Sequence, residues 1–313
     1  MLAIEARGLC KAYRGRNVVD GLDMHVTRGD IYGFVGRNGA GKSTTMKMIC
    51  GMIRPTAGEV LLFDRPSIDA SGEAPESSTS TGAVRIGALV ENPGLYPNMT
   101  ALENMRCKAM ALGLVDSVAE IEQLLCIVGL DAAGKKPTKR YSLGMKQRLG
   151  LAMALMGEPE VLVLDEPTSG LDPSGIVEMR DLLQRLNRER GVTVVLSSHH
   201  LAELEQVATE YAFLRRGRLM EQVSAEVLRA RCADCIDIAV SDPARYVVLL
   251  EQELHHARYQ VLPDGAVRVL DPQLDIEAYS GLASAHGLGI VKLERRRMSL
   301  EQYYFDLKEK GAA

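Results

Sequence analysis

Short apolar runs and a glycine-rich turn organise the start of the chain. Runs at residues 4–9, 23–27 and 30–35 are short and bounded by turn residues, which predicts strands. The third run ends in a glycine-rich turn, and residues 42–53 then show a helical pattern of apolar positions. The order strand, glycine loop, helix is typical of a nucleotide-binding α/β unit.

Helical periodicity dominates the middle of the chain. Between residues 101 and 156, apolar residues recur every three or four positions, which predicts a helical subdomain at about 95–156. Two compact apolar runs follow at residues 161–164 and 192–197, and a helix is predicted between them at 176–190. Parallel strands that alternate with helices indicate an α/β sheet with right-handed connections.

A polar segment interrupts this pattern at about residues 68–82. Its composition changes to Ser, Thr, Gly, Glu and Pro, in the order DASGEAPESSTSTG from residue 69. Such a segment cannot bury enough apolar surface to offset the entropy of ordering it. We therefore predict a flexible surface insertion.

After residue 224 the pattern changes to a smaller alternation of strands and helices. The predicted elements are strand 236–240, helix 243–254, strands 258–262 and 266–270, helix 276–286, strand 290–294 and helix 300–310. The first six follow the β-α-β-β-α-β order of a ferredoxin-like unit. The sequence thus predicts a large α/β domain at 1–224 and a small α+β accessory domain at 225–313.

Composition and charge narrow the class of protein. The chain has 313 residues and a net charge of −4, and this mild acidity argues against a dedicated nucleic-acid-binding protein. No run approaches the roughly 18 apolar residues needed to cross a bilayer, and the N-terminus has no export signal. We therefore expect a cytoplasmic protein that reaches a membrane only through a partner.

The glycine-rich turn has the spacing of a phosphate-binding loop. Residues 36–43 read GRNGAGKS, which fits G-x-x-x-x-G-K-[ST]. Glycines let successive N–H groups face phosphate oxygens at a helix N-terminus, while Lys42 pairs with the β- and γ-phosphates and Ser43 ligates Mg²⁺. The predicted nucleotide-contacting residues are Gly36, Arg37, Asn38, Gly39, Ala40, Gly41, Lys42, Ser43 and Thr44.

Two consecutive carboxylates end the apolar run at 161–164. Asp165 follows this predicted strand directly, and from there a carboxylate can hold a metal ion. Glu166, one residue further, can act as the general base that polarises an attacking water. After a phosphate-binding loop, such a pair predicts nucleotide hydrolysis rather than a strand that merely ends in two acids.

The stretch Tyr141-Ser-Leu-Gly-Met-Lys-Gln-Arg148 resembles the LSGGQ signature of the nucleotide-binding subunits of ABC transporters. In that family, the signature of one subunit closes over the ATP that is held by the phosphate loop of the other. Ser142 and Gly144 match the positions that face the γ-phosphate. Leu143 and Met145 replace a glycine and a glutamine, so the signature diverges, although its helix N-terminus can still present N–H groups to phosphate.

Other positions match the family in order, and the resemblance covers roughly residues 1–224. The sequence Ser169-Gly-Leu-Asp172 is similar to the D-loop, which spans the dimer interface and has Asp172 as its key acid. His199 matches the switch histidine that touches the γ-phosphate. Tyr13 stands where the family stacks an aromatic ring on adenine.

Glu91 is a departure from the commoner family pattern, which has glutamine at this point. In the family, that glutamine ligates Mg²⁺ and senses the transmembrane partner, and a glutamate can still ligate the metal. Residues 91–100, ENPGLYPNMT, are similar to the branch that handles bacitracin and lantibiotics, where a glutamate occurs here. A general multidrug exporter remains the alternative within the family.

The resemblance implies a function with stated cofactors and partners. We expect an ATPase that uses ATP and Mg²⁺, with Glu166 and His199 as catalytic residues and Ser43, Glu91 and Asp165 at the metal. The implied partners are a transmembrane permease and a second copy in a head-to-tail homodimer, on the inner face of the membrane. The alternatives are a soluble ABC ATPase acting on ribosomes or DNA and a nucleotide-dependent regulator, which the single motif set and the intact catalytic pair disfavour.

Overall fold

The computed structural model describes residues 1–67, 84–131, 136–198, 201–232, 234–296 and 300–310. The chain forms two compact units, Met1–Ala225 and Glu226–Ala313. The predicted insertion at 68–82 lies outside the described residues. None of the helices in the described ranges combines the length and the apolar character that a membrane span requires.

Ten strands and six helices make up the first unit as far as it is described. The strands are β1 (Leu2–Tyr13), β2 (Arg16–Thr27), β3 (Ile31–Val35), β4 (Ala57–Leu62), β5 (Arg65–Pro66), β6 (Ile86–Leu89), β7 (Val161–Asp165), β8 (Thr193–Ser198), β9 (Glu210–Arg215) and β10 (Arg218–Ser224). The helices are α1 (Lys42–Ile49), α2 (Ala101–Ala111), α3 (Val118–Ile127), α4 (Leu143–Leu155), α5 (Pro173–Arg190) and α6 (Leu201–Glu205), with a 3₁₀ turn at Thr138–Arg140.

Two sheets build this unit. The first has the order β2-β1-β4-β5 and its strands are antiparallel. The second has the order β10-β9-β3-β8-β7-β6, in which β9, β3, β8, β7 and β6 run parallel and β10 returns antiparallel to β9. Every residue of β3, β7 and β8 is buried, as is usual for parallel strands covered on both faces. The predicted α/β sheet is confirmed.

Helix α1 joins the two sheets through a shared core. Met46 and Ile49 have no exposed surface and pack in one cluster with Leu22 of β2 and Val163 of β7. The helix ends at Ile49, earlier than the predicted 42–53, because Gly51 adopts a left-handed conformation with φ 68°. The loop before α1 is therefore held between two sheets.

The helical subdomain attaches to the parallel sheet by close backbone packing. Helix α4 lies against the end of β6 at Gly150, where a Cβ atom would come 2.9 Å from Leu89 and 2.7 Å from Pro93. Helix α2 begins at Thr100, whose side chain and that of Glu103 form a reciprocal capping box. The predicted subdomain thus consists of α2, α3 and α4.

The remaining elements form a separate four-stranded sheet with helices. They are α7 (Ala225–Cys232), β11 (Cys235–Val240), α8 (Pro243–Glu253), β12 (Tyr259–Val261), β13 (Val267–Leu270), α9 (Ile276–Ala285), β14 (Ile290–Arg296) and α10 (Leu300–Lys310). The strand order is β12-β13-β11-β14 and all neighbours are antiparallel. From β11 to β14 the elements follow the β-α-β-β-α-β order that the sequence predicts.

A buried carboxylate lies at the centre of the sheet β12-β13-β11-β14. Asp237 of β11 is 3% exposed, and Arg268 of β13 donates to both its carboxylate oxygens at 2.7 and 2.8 Å. Arg296 of β14 adds a third contact at 3.2 Å. The bond from Arg268 lowers the pKa of Asp237, so its carboxylate stabilises the unit when charged.

We predict that Asp237→Asn lowers the free energy of unfolding by about 1–3 kcal/mol at pH 7, the range for losing charged hydrogen bonds. Because the folded pKa is depressed, the difference from the wild type should be complete above the unfolded pKa of about 4 and shrink as pH falls through the folded value. Thermal unfolding followed by circular dichroism at several pH values tests this. Asp271→Asn, at an exposed ion pair with Arg258, is the matched control. A pH-independent difference would contradict the assignment.

Candidate nucleotide-binding site

The carboxyl ends of three neighbouring parallel strands bring the predicted site together. In the sheet register, Val35 at the end of β3 pairs with Ser198 of β8, and Ser197 of β8 pairs with Asp165 at the end of β7. The phosphate loop begins directly after Val35. Loop, serines and carboxylate therefore lie at one edge of the sheet, where open α/β sheets bind ligands.

Close backbone approaches fix the conformation of the loop. Gly41 has φ 106°, and a Cβ atom there would come 2.9 Å from the carbonyl oxygen of Val18. A Cβ atom at Gly36 would come 2.9 Å from the carbonyl oxygen of Leu214. Both positions require glycine, because a side chain would have to displace backbone. The spacing of glycines in the sequence thus has a steric cause.

Within the loop, exposure divides the predicted nucleotide-contacting residues into two groups. The exposed residues are Arg37, Asn38 and Gly39, and the buried or half-buried residues are Gly36, Ala40, Gly41, Lys42, Ser43 and Thr44. The N–H of Ala40 donates to the carbonyl oxygen of Arg37 at 3.0 Å, which closes a tight turn. The turn leads directly into the N-terminal end of α1, and helix N-termini are suited to bind phosphate.

The ammonium group of Lys42 is buried within the loop. Its residue is 5% exposed, and Nζ donates to the carbonyl oxygen of Gly36 at 2.6 Å. Burial lowers the pKa of Lys42, while the carboxylates of Glu166 and Asp165 act in the opposite direction. The structure therefore brings one cation and two carboxylates into electrostatic contact, as the sequence predicts for phosphate and metal chemistry.

Ser197 connects the two carboxylate residues, and the sequence analysis missed it. Its hydroxyl donates to Oδ1 of Asp165 at 2.6 Å and accepts a bond from the backbone N–H of Glu166 at 2.9 Å. Ser197 is fully buried, and Glu166 has φ 49°, a conformation that few glutamates adopt. A polar residue inside a buried apolar strand beside Asp165 is the signal that could have identified it.

The donor set suits Mg²⁺, which prefers carboxylate and hydroxyl oxygens. Asp165 is 8% exposed and its Oδ1 accepts a hydrogen bond from Ser197, and Ser43 supplies a hydroxyl in the first turn of α1. Glu91 is more exposed, and its carboxylate lies 2.5 Å from Nζ of Lys47. Lys47 lies one helical turn after Ser43, so this contact places Glu91 along the same face of α1.

Tyr13 ends β1 with an exposed ring. It is 47% exposed, and the ammonium of Lys11 lies 5.2 Å from the ring centroid. The same ammonium donates to the carbonyl oxygen of Arg54 at 2.6 Å, which anchors it. An exposed aromatic ring held on one side by a cation suits stacking on a base.

The signature and D-loop residues lie at two helix N-termini. Ser142 caps α4, and its hydroxyl accepts from the N–H of Met145 at 3.2 Å, with Gly144 in the first turn. Asp172 stands at the N-terminus of α5, and the bond from the Ser174 hydroxyl is the main cause of its lowered pKa. His199 lies outside the described residues.

Comparisons with known proteins agree with this geometry. The ABC transporter family model matches residues 19–169. A bacitracin transport ATP-binding protein of Bacillus licheniformis is 40% identical over 97% of this chain and 96% of its own length. A lantibiotic transport ATP-binding protein of Streptococcus pyogenes is 37% identical over 69% of this chain and 89% of its own. Among solved structures, a dimeric ATP-binding cassette bound to ADP and phosphate matches with a TM-score of 0.63 at 23% identity, over 71% of this chain and 98% of that one.

We predict that Ser197→Ala lowers the rate of ATP hydrolysis by about tenfold or more, the scale of losing one charged hydrogen bond. The change should act through the position of Asp165 and Glu166, so the affinity for ATP should change much less than turnover. Steady-state kinetics and calorimetry with ATP measure the two quantities. Thr193→Val is the matched control, because Thr193 is equally buried at the opposite end of β8, where its hydroxyl accepts from the N–H of Gly29. Equal kinetics for the two variants would remove Ser197 from this role.

Proposed function

This chain belongs to the ABC transporter family of ATP-binding proteins, and from that membership we propose that it powers the export of a peptide antibiotic through a separate permease. The convergence of Lys42, Asp165 and Glu166 at one sheet edge supports the hydrolysis of ATP. The 40% identity to a bacitracin transport ATP-binding protein, over 97% of this chain, is the observation that carries the proposed export. Members of the family bind and hydrolyse ATP, and this chain is an ATPase. Its substrate and its partners are the proposed part.

The residues divide the hydrolytic work between binding and proton transfer. Lys42 and the loop N–H groups bind the phosphates, and Tyr13 stacks on the base. Glu166 accepts the proton of the water that attacks the γ-phosphate, and ADP leaves with its charge stabilised by the loop. The hydrogen bond between Ser197 and the backbone of Glu166 supports this role, because it fixes the backbone position from which the Glu166 side chain extends.

Magnesium is the metal that the oxygen donors favour. Ser43 and Asp165 would hold it, and Glu91 is a further carboxylate along the same face of α1. Bound there, Mg²⁺ would neutralise part of the phosphate charge. His199 completes the proposed catalytic set as the switch histidine, on the basis of the sequence match alone.

A head-to-tail homodimer would complete each nucleotide site. Ser142 and Gly144 stand at the N-terminus of α4, a 13-residue helix whose first N–H groups can bind phosphate. Asp172 lies at the start of the neighbouring α5. The solved cassette that this chain resembles is a dimer with bound ADP and phosphate, which supports the same arrangement here.

A groove between the parallel sheet and the helical subdomain suits a permease segment. Val90 and Pro93 after β6, Met153 of α4, Met52 and Lys108 are among the residues that line it. The groove adjoins Glu91, the residue whose family counterpart senses the permease. The end of a helix from a cytoplasmic permease loop is the occupant that we propose, which would hold the chain at the inner face of the membrane.

The proposed cargo is a bacitracin- or lantibiotic-like peptide. The relative named for bacitracin transport spans both units of this chain, and Glu91 and the divergent signature match that branch. A cell that carries the chain and its permease would then resist such a peptide. Loss of resistance on loss of ATP hydrolysis is the expected phenotype.

We predict that Glu166→Gln keeps ATP binding but lowers turnover by about 10² or more, the scale of losing a general base. In cells that also carry the permease, resistance to the peptide should fall to the level without the transporter. Calorimetry, phosphate release and growth inhibition measure the three effects. Lys42→Ala is the contrasting variant, since it should weaken ATP binding itself. A Glu166→Gln protein with wild-type turnover would reject Glu166 as the base.

We predict that Glu91 serves the coupling between ATP and permease more than the chemistry. Glu91→Gln retains a metal ligand, so basal ATPase should fall by less than about tenfold, equivalent to 1.4 kcal/mol. Glu91→Ala should depress resistance in cells more than it depresses basal ATPase. Folding should be unaffected, because an exposed ion pair such as Lys47–Glu91 contributes little. Equal losses of ATPase and resistance in Glu91→Ala would mark a plain catalytic-site ligand.

A further inference from the structure

The start of α4 and the turn before α5 interlock within one subunit. Gly170, in the turn Ser169–Asp172, has φ 74°, and a Cβ atom there would overlap Cδ2 of Leu143 and lie 3.6 Å from its Cγ. The leucine side chain therefore covers the bare backbone of the turn. Leu143 is one of the two residues at which the signature departs from the family pattern.

A reciprocal contact lies one residue further along each segment. A Cβ atom at Gly144 would come 3.1 Å from Cδ2 of Leu171, so this leucine covers the backbone of the signature in turn. Each segment thus contributes one leucine and one glycine. Each leucine packs on the bare backbone of the opposite segment, so the two contacts together favour one spacing of the segments.

An ion pair adds a polar contact between the same two helices, α4 and α5. Arg148, in the second turn of α4, forms a salt bridge with Glu178 in α5. Arg148 also contributes, after the larger effect of Ser174, to the lowered pKa of Asp172. The N-terminal parts of α4 and α5 are therefore joined both by the leucine–glycine contacts and by this ion pair.

We propose that Leu143 is a positioning residue, which with Leu171 fastens the phosphate-facing end of α4 to the turn 169–172. Both segments then reach the nucleotide of a second subunit as one preorganised surface. The inference rests on the head-to-tail dimer of the proposed function. Because the spacing is set before the subunits meet, less conformational freedom is lost on closure and ATP-driven dimerisation is favoured.

The test uses the Glu166→Gln chain, in which slow hydrolysis allows ATP to hold the dimer. Leu143→Ala in that chain should raise the ATP concentration for half-maximal dimerisation by about fivefold or more, the scale of an interaction between contacting residues. Analytical ultracentrifugation measures it. The affinity of the dilute monomer for ATP should stay unchanged by calorimetry, which a general loss of structure would not allow. Leu143→Met keeps a long apolar side chain, so it should dimerise at nearly the same ATP concentration as the chain with Leu143.

Two further variants separate the interlock from nonspecific effects. Leu112→Ala removes a similarly exposed leucine at the end of α2 and should leave dimerisation unchanged. Gly170→Ala strains the backbone in either chain because φ is 74°, but it should impair dimerisation more beside Leu143 than in the Leu143→Ala chain, since only beside Leu143 does the added methyl group meet a side chain. Strictly additive effects, or equal effects of Leu143→Ala and Leu112→Ala, would overturn the proposal. Failure of the Glu166→Gln chain itself to dimerise with ATP would instead reject the dimeric function, and the interlock with it.

Discussion

The buried ammonium of Lys42 is the constraint on which the arrangement of the first unit depends. Removing a cation from water is costly unless fixed partners replace the water. Here the carbonyl of Gly36 lies 2.6 Å away, and the carboxylates of Glu166 and Asp165 supply the opposite charge. These groups come from the ends of β3 and β7, which are separated in the sheet by β8. The strand order is therefore the condition for burying the charge that binds phosphate.

Strand β8 contributes chemistry as well as spacing. Because it lies between β3 and β7, its Ser197 can bind the side chain of Asp165 and the backbone of Glu166 at once. The proposed metal ligand and the proposed base are thus both bonded to a single fully buried hydroxyl. Buried side chains on rigid strands hold such groups in a more exact position than loop residues could. The segments proposed to meet a second subunit lie instead at the N-termini of α4 and α5.

The sequence alone was sufficient to predict those features that short local patterns encode. The phosphate loop, the pair Asp165-Glu166 and strand β7 follow from glycine spacing and apolar runs, since fully buried parallel strands carry continuous apolar sequence. Strands β9 and β10 were not predicted, because charged residues flank or alternate along them. Ser197 was missed since its role depends on strand register. The contact of Leu143 with Gly170 joins residues far apart in sequence, so no local pattern reports it.

Two of the three departures from the family pattern, Glu91 and Leu143, are matched by a partner in the same chain. Glu91 replaces an uncharged glutamine and adds a negative charge beside a phosphate site, and the ammonium of Lys47 balances it at 2.5 Å. Leu143 replaces a glycine at the signature, and Gly170 leaves the space that its side chain fills. The catalytic strands themselves keep the family residues. Both replacements lie in segments proposed to meet the permease or the second copy, where a neighbouring side chain or glycine accommodates them, whereas the buried charges of Lys42 and Asp165 tolerate little displacement.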